Sequence, residues 1–131
     1  MTAAAPSSFQ TFLAFDFGTR RIGVASGTRL LSSAEPRGTI KGGDFDAIAA
    51  LIQTWQPDAL VIGVPRHPDG APHEMTAKAQ NFGRRLAGRY HLPVFEVDER
   101  YTSVEAEAQG AEDVDAAAAA LILEQFFREH P

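Results

Sequence analysis

The chain has 131 residues, of which 44% are hydrophobic and 22% are charged, and it contains no cysteine. This composition is typical of one globular domain, and it excludes disulfide-stapled folds and thiolate metal sites. No apolar run reaches the length that spans a bilayer, and the N-terminus lacks the pattern of a signal peptide. The sequence therefore predicts a protein without a membrane partner, and the absence of cysteine fits a reducing cytosol without proving it. Residues 1–10 are predicted as a disordered tail and residues 11–131 as the folded domain.

The charge is unevenly distributed along the chain. The formal net charge of −5 argues against simple electrostatic adhesion to nucleic acid. Residues 101–131 hold seven of the 17 acidic residues but only one of the 12 basic ones. The bases of the remaining chain fall in clusters: Arg20, Arg21 and Arg29, then Arg37 and Lys41, then Lys78, Arg84, Arg85 and Arg89. These clusters predict either a local basic face or ordinary solvated surface.

The first 40 residues predict three antiparallel strands. Residues 12–17 are almost wholly apolar and residues 22–25 are small and β-prone, and the turn between them contains Gly18 and Thr19. Residues 29–40 predict a third strand, in which Pro36 marks an edge or a bend.

Helices and strands alternate through the rest of the chain. The pattern predicts a helix over residues 45–55 with Asp44 as its N-cap, a buried strand over 59–64, a Pro- and Gly-rich loop over 65–72 and a helix over 73–90. A strand over 93–97, a short helix capped by Thr102 or Ser103, and a final helix from about Asp113 complete the order. The predicted fold class is α/β, with a mixed five-stranded sheet of three antiparallel strands followed by parallel strands, and helices on both faces.

Asp16 interrupts the first apolar strand. A carboxylate in a buried strand is costly unless hydrogen bonds or a cation compensate it. The residue therefore either caps the adjacent turn with its side chain or faces a metal ion or a phosphate-bearing ligand. The spacing alone does not decide between these roles.

Other acidic residues lie where the topology can bring them toward Asp16. Asp98 and Glu99 follow the last strand, and Asp115 lies in the first turn of the final helix. Clustered carboxylates repel unless a cation joins them, and oxygen ligands without cysteine favour Mg²⁺ or Mn²⁺. Two such ions can assist phosphodiester displacement. Alternatively, Asp115 only favours the helix N-terminus, and Asp98 or Glu99 pairs with Arg100.

Four ordered motifs resemble one protein family. They are residues 16–25 (DFGTRRIGVA), residues 61–65 (VIGVP) with Asp69 and Gly70, residues 98–103 (DERYTS) and residues 114–123 (VDAAAAALIL). The resemblance, over about residues 12–127, is to the YqgF family of Holliday-junction-resolvase-like proteins with the RNase H fold. It implies a cytoplasmic, metal-dependent nuclease that processes the 5′ end of precursor 16S ribosomal RNA in ribosome biogenesis.

The resemblance also implies roles for individual residues. It implies Asp16, Glu99 and Asp115 as catalytic metal ligands for Mg²⁺ or Mn²⁺, with Asp98 as a substitute for Glu99. Arg21 and Arg100 would contact substrate phosphate or hold the acids in place, and Thr102 and Ser103 match a hydroxyl pair of the family.

The chain departs from the family pattern before its final helix. The loop over residues 110–114 is short and acidic, whereas family members usually have a longer loop there, often with a lysine before the last aspartate. Asp113 consequently becomes a rival metal ligand, and activity on RNA is put in question.

Alternative functions remain open at the level of sequence. They are a junction resolvase acting on branched DNA, a non-catalytic RNA-binding or ribosome-assembly module on the same fold, and an actin-like ATPase, for which 131 residues leave no room for a second lobe. The oligomeric state, monomer or weak dimer, is also open.

Overall fold

A computed structural model of the chain describes residues 5–99 and 107–131. Within these residues the strands are β1 (Thr11–Asp16), β2 (Arg21–Thr28), β3 (Ser33–Lys41), β4 (Ala59–Val64) and β5 (Val94–Asp98). The helices are α1 (Phe45–Trp55), α2 (Glu74–Tyr90) and α3 (Val114–Glu129). The short helix predicted after Thr102 or Ser103 lies outside the described residues.

The five strands form one sheet in the order β3-β2-β1-β4-β5. The first three strands pair antiparallel, whereas β1 with β4 and β4 with β5 pair parallel. The parallel pairs need helical crossovers, which α1 and α2 supply. The predicted mixed sheet is confirmed.

Each face of the sheet has its own apolar core because side chains alternate along a strand. Phe12 and Ala14 of β1 pack with Ile122 and Phe126 of α3 on one face. Leu13 and Phe15 of β1 face the opposite way, into a cluster that includes residues of α1 and α2. The helices thus cover both faces, as predicted.

Helix α1 begins where the sequence predicts. The side chain of Asp44 accepts a hydrogen bond from the backbone N–H of Ala47 at 3.0 Å, which satisfies one donor that the helix itself cannot pair. Gln56 ends the helix in the left-handed conformation, immediately before Pro57.

Strand β3 is shorter than predicted. It begins at Ser33, because residues 29–32 form the turn after β2, where the Leu30 and Leu31 side chains are exposed. Pro36 lies in this edge strand, as predicted, next to a register shift opposite Val24 and Ala25. A proline on an edge strand leaves no inner ladder bond unmade.

The N-terminal segment contacts the body of the domain from residue 5 onward. The backbone N–H of Ala5 donates to Nδ1 of His130 at 3.3 Å, and Phe9 packs against the core cluster beside α3. The backbone N–H of Gln10 donates to Asp58 at 2.7 Å. These contacts tie the described part of the predicted tail to the domain, whereas the boundary at residue 11 stays a prediction.

Several of the clustered arginines pack on aromatic rings. The Arg37 guanidinium lies 4.3 Å from the ring centre of Trp55, and those of Arg85 and Arg89 lie 4.7 and 4.1 Å from the ring centre of Phe45. Arginine planes over aromatic rings contribute to packing as well as to surface charge. For these three residues the structure favours a packing role over a continuous basic face.

Candidate functional site

The candidate site lies at the end of the sheet where β1, β4 and β5 terminate. Asp16 is the last residue of β1, and it shares the alternation of Phe12 and Ala14, which places it on the face covered by α3. Ligand sites of open α/β sheets lie beyond the carboxyl ends of the strands. We call the set Asp16, Glu99 and Asp115 the acidic edge.

A glycine on each side of Asp16 leaves room on this face. Asp16 pairs directly with Gly23 of β2. On the other side, Phe15 pairs with Ile62 of β4, so the next step of the parallel register sets Asp16 beside Gly63. Asp16 therefore lies between two positions that have no side chain.

Gly23 admits the first turn of α3. A Cβ atom at this position would lie 2.9 Å from the Ala116 backbone nitrogen and would overlap the carbonyl group of Asp115. Glycine in a strand commonly marks such a close backbone approach. The backbone of Asp115 consequently rests on the residue that pairs with Asp16.

Gly63 admits the carboxylate of Glu99. A Cβ atom there would overlap Oε1 of Glu99 and would lie 2.6 Å from Cδ1 of Ile122, a residue of α3. The Glu99 backbone N–H donates to the carbonyl oxygen of Val64 at 3.1 Å, which extends the β4–β5 pairing by one residue. Glu99 therefore lies on the α3 face, close to the end of β1.

Asp98 occupies the opposite face of the sheet. It pairs with Val64, and paired residues of parallel strands point the same way. Val64 packs with Phe82 and Leu86 of α2. The register thus separates Asp98 from the α3 face, where Asp16 and Glu99 lie, although the two residues are adjacent in sequence.

The side chain of Asp115 is engaged by Arg21. Nε of Arg21 lies 3.1 Å from Oδ2 of Asp115, with the arginine side chain 73% exposed and the aspartate side chain 30% exposed. Arg21 is the first residue of β2 and pairs with Lys41 of β3, so two exposed cations flank the acidic edge. Charged groups in this position can meet a phosphate backbone.

The side chain of Asp113 caps the N-terminus of α3. Its Oδ1 atom accepts hydrogen bonds from the Thr39 hydroxyl at 2.6 Å and from the Ala116 backbone N–H at 3.0 Å. The Thr39 hydroxyl, and then the Ala116 N–H, hold the pKa of the Asp113 carboxyl below its usual value of 3.8, against the opposing effect of burial. The short acidic loop that set this chain apart from the family pattern thus supplies an N-cap.

An open groove runs beside these residues. Its cavity volume is about 1030 Å³, and Arg21, Thr39, Asp113 and Asp115 are among its lining residues. The groove places the Arg21–Asp115 pair in reach of a ligand as large as a nucleotide.

The donor chemistry of the acidic edge fits a hard divalent cation. All three side chains offer carboxylate oxygens, and Gly63 leaves a space that the Glu99 carboxylate occupies. Among residues 5–99 and 107–131, however, no three His, Asp or Glu side chains converge into a metal-binding group. Asp16 and Glu99 thus share the face of the sheet on which the Asp115 backbone rests, and the Asp115 carboxylate lies against Arg21.

Some predicted site residues are not described. Arg100, Thr102 and Ser103 lie outside the described residues, so their roles stay predictions. In the part of the chain that the structure describes, no helix has the length and apolar character needed to cross a membrane.

Sequence reasoning missed three positioning residues, Gly23, Gly63 and Thr39. The signal for the glycines was their place inside β-prone runs, which is unfavourable unless another group approaches closely. Nothing in the sequence paired Thr39 with Asp113, because 74 residues separate them.

Comparison with known proteins identifies close relatives. A protein of Albidiferax ferrireducens is 60% identical over 125 residues, with 93% of this chain and 80% of the relative covered. A protein of Polaromonas sp. is 57% identical over 128 residues, with 95% and 93% covered. Both are described as "Putative pre-16S rRNA nuclease".

Solved structures with low identity share the fold. RuvC of T. thermophilus in complex with a Holliday junction substrate superposes with a TM-score of 0.59 at 13% identity, with 92% of this chain and 95% of that chain covered. The Fowlpox virus resolvase in complex with Holliday junction DNA gives a TM-score of 0.57 at 9% identity, with 91% and 97% covered. These likenesses confirm the predicted RNase H-like architecture.

A family model described as "RuvX: Holliday junction resolvase" matches residues 10–129. The match spans nearly the whole chain, and it agrees with the family, also called YqgF, that the four sequence motifs indicated. The chain belongs to the RuvX family.

Proposed function

We propose that this chain is a cytoplasmic, metal-dependent endonuclease that cleaves phosphodiester bonds at the 5′ end of precursor 16S rRNA. The observation that carries the proposal is the position of Asp16 between Gly23 and Gly63, which admit the Asp115 backbone and the Glu99 carboxylate on the same face. The names of relatives more than 50% identical support the same activity and substrate.

Asp16, Glu99 and Asp115 are the proposed ligands and catalytic residues. A bound Mg²⁺ or Mn²⁺ would supply a water of lowered pKa and would stabilise the charge that develops on the phosphate. Strand pairing fixes the backbone of Asp16, and a hydrogen bond to Val64 fixes that of Glu99, so rigid elements carry both residues.

Arg21 has two proposed roles that follow from its contact. It contacts Asp115 through Nε, and guanidinium N–H groups are donors suited to a phosphate. If Asp115 held an ion instead of Arg21, the whole Arg21 guanidinium would be available to a substrate phosphate. Arg100, Thr102 and Ser103 are proposed as further substrate contacts on the strength of the family resemblance.

Asp98 is the weaker candidate for a metal ligand. Its side chain shares the face of Val64 and α2, whereas Glu99 shares the face of the other two acids. We therefore assign the ligand role at this strand end to Glu99. Glu99→Gln should lose far more activity than Asp98→Asn.

A cleavage assay tests the proposal. Purified protein is given Mg²⁺ or Mn²⁺ with a precursor 16S rRNA leader, and Asp16→Asn is assayed beside wild type. Because a lost metal ligand should cost more than an outer-shell residue does, we expect the variant to be reduced by more than about 100-fold. Equal cleavage by both proteins would attribute the activity to a contaminant or to another site.

A second candidate function is cleavage of branched DNA. The description of the matching family model names a Holliday junction resolvase, which favours testing it directly. A four-way DNA junction is therefore included beside the RNA at equal concentration. Faster metal-dependent cleavage of the junction would assign the resolvase activity, whereas binding without cleavage of either substrate would indicate a non-catalytic RNA-binding module.

A further inference from the structure

The first turn of α3 contacts the sheet at two places. The first is a hydrogen bond to β3. One oxygen of Asp113 accepts from the Thr39 hydroxyl of β3 and from the Ala116 N–H of α3. Asp113 therefore joins the edge strand directly to the turn that contains Asp115.

The second place is Gly23, and both places lie in one row across the sheet. Thr39 pairs with Gly23, and Gly23 pairs with Asp16. The Asp115 backbone rests on Gly23, one strand away from the Thr39 hydroxyl. The contact between Thr39 and Asp113 thus helps to set the position of Asp115 relative to Asp16, both along the strands and in distance from the sheet.

We propose that Thr39 and Asp113 form a latch that positions Asp115 for catalysis, so that Asp113 is a positioning residue and not a metal ligand. This inference rests on the proposed nuclease function. It gives a role in catalysis to the hydrogen bond by which Asp113 of the short acidic loop contacts Thr39 of the edge strand β3.

The hydrogen bonds of Asp113 distinguish a latch from a ligand. The same Oδ1 atom accepts both the cap bond from the Ala116 N–H and the strand bond from the Thr39 hydroxyl, so this oxygen is already engaged by two donors. Asparagine offers the same carbonyl oxygen to both donors and is as good an N-cap as aspartate. A latch should tolerate asparagine, whereas a metal ligand requires the charge.

The experiment measures kcat and KM for RNA cleavage in a small set of variants. Asp113→Ala removes the latch, Asp113→Asn keeps its geometry, and Thr39→Val removes only the strand contact with a side chain of similar shape. Asp44→Ala is the matched control, since it deletes the equivalent cap of α1, which packs on the opposite face of the sheet from α3. All are assayed at a temperature well below unfolding.

We expect kcat of Asp113→Ala to fall by about tenfold or more and that of Thr39→Val by about three- to tenfold, with KM little changed, because small displacements of a catalytic group are costly. Asp113→Asn should recover most of the wild-type kcat, and Asp44→Ala should keep it. Loss of activity in Asp113→Asn equal to that in Asp113→Ala would overturn the latch in favour of a ligand. Wild-type kcat in Thr39→Val would overturn it as well.

Amide hydrogen exchange supplies a readout independent of cleavage. The Ala116 and Ala117 amides of the first turn should exchange faster in Thr39→Val than in wild type, whereas the Ala47 amide of α1 should not change. Unchanged exchange at Ala116 would overturn the latch even if no nuclease activity were found. Faster exchange at Ala116 in a protein without cleavage activity would support the latch while rejecting the proposed function.

Discussion

Replacing Gly23 with alanine should displace Asp115 and thereby reduce cleavage by more than the loss of domain stability explains. The added Cβ would overlap the Asp115 carbonyl group and would lie 2.9 Å from the Ala116 nitrogen, both of which are backbone atoms. Since non-bonded carbon contacts settle near 3.5–4.0 Å, the start of α3 must move by about 1 Å or more. A misplacement of about that size can reduce catalysis by roughly 100-fold. Such overpacking should also cost about 1–3 kcal/mol of unfolding free energy.

Gly27→Ala is the matched control for Gly23→Ala. Gly27 lies on the same strand and face, but its Cβ would meet Leu123 and Phe127 of α3, at 3.1 and 3.2 Å, and the Ser33 carbonyl oxygen. Both variants should lower the midpoint of thermal unfolding, followed by circular dichroism, but only Gly23→Ala should lose most of its RNA cleavage rate. Similar cleavage rates in the two variants would refute the idea that Gly23 sets the position of Asp115.

Three further predictions concern charge, packing and pH. Arg21→Ala should raise KM for nucleic acid, and lessen the salt dependence of KM, more than Arg20→Ala does. Its free energy of unfolding should change by only about 0.2–1 kcal/mol, because the ion pair with Asp115 is largely exposed. Equal KM values for the two variants would contradict a contact between Arg21 and the substrate. Phe126→Ala should lower the unfolding free energy in urea by about 3–5 kcal/mol because the ring is fully buried, whereas Leu30→Ala, at an exposed position, should change it by less than about 0.5 kcal/mol; similar values would contradict the assigned core. The folded-state pKa of Asp113 lies below 3.8, so its ionised carboxylate should stabilise the fold fully above its unfolded pKa, and this contribution should be lost as pH falls through the folded-state pKa. The unfolding free energy of Asp113→Asn should therefore depend less on pH in this acid range than that of wild type. An identical pH dependence in the two proteins would contradict this prediction.

The fold was predictable because its signals are local. Alternating and continuous apolar runs indicated the strands, and the order of strands and helices left few arrangements for the sheet. The Asp44 cap was also predicted, since a helix N-cap depends on residues only three positions apart. The predicted start of β3 was wrong by four residues, because residues 29–32 form a turn in which Leu30 and Leu31 are exposed.

The geometry of the acidic edge was less predictable because it depends on pairing between distant segments. Whether Asp98 or Glu99 faces α3 depends on strand alternation, which a shift of one residue reverses. The Val64 pairing fixes that alternation, and sequence alone could not give it. The strand register also places Gly23 and Gly63 on either side of Asp16, where the absence of a side chain leaves room for the Asp115 backbone and the Glu99 carboxylate.

Charge patterns were the weakest guide to function. Asp113 was predicted as a rival ligand, yet its carboxylate caps α3 by accepting from the Ala116 N–H and also accepts from the hydroxyl of Thr39, 74 residues away in sequence. Clustered arginines predicted either a local basic face or ordinary solvated surface, yet Arg37, Arg85 and Arg89 lie over aromatic rings. The same residue types serve capping, packing and binding, and only tertiary contacts distinguish these uses.

The most direct test of a shared carboxylate site is anomalous X-ray diffraction from crystals soaked in Mn²⁺. Asp16, Glu99 and Asp115 should surround an anomalous peak in wild type, with Asp115 turned away from Arg21, and the peak should be absent from Asp16→Asn crystals soaked in the same way. Manganese bound elsewhere, or bound equally in the variant, would contradict the proposal that these three acids form one metal site.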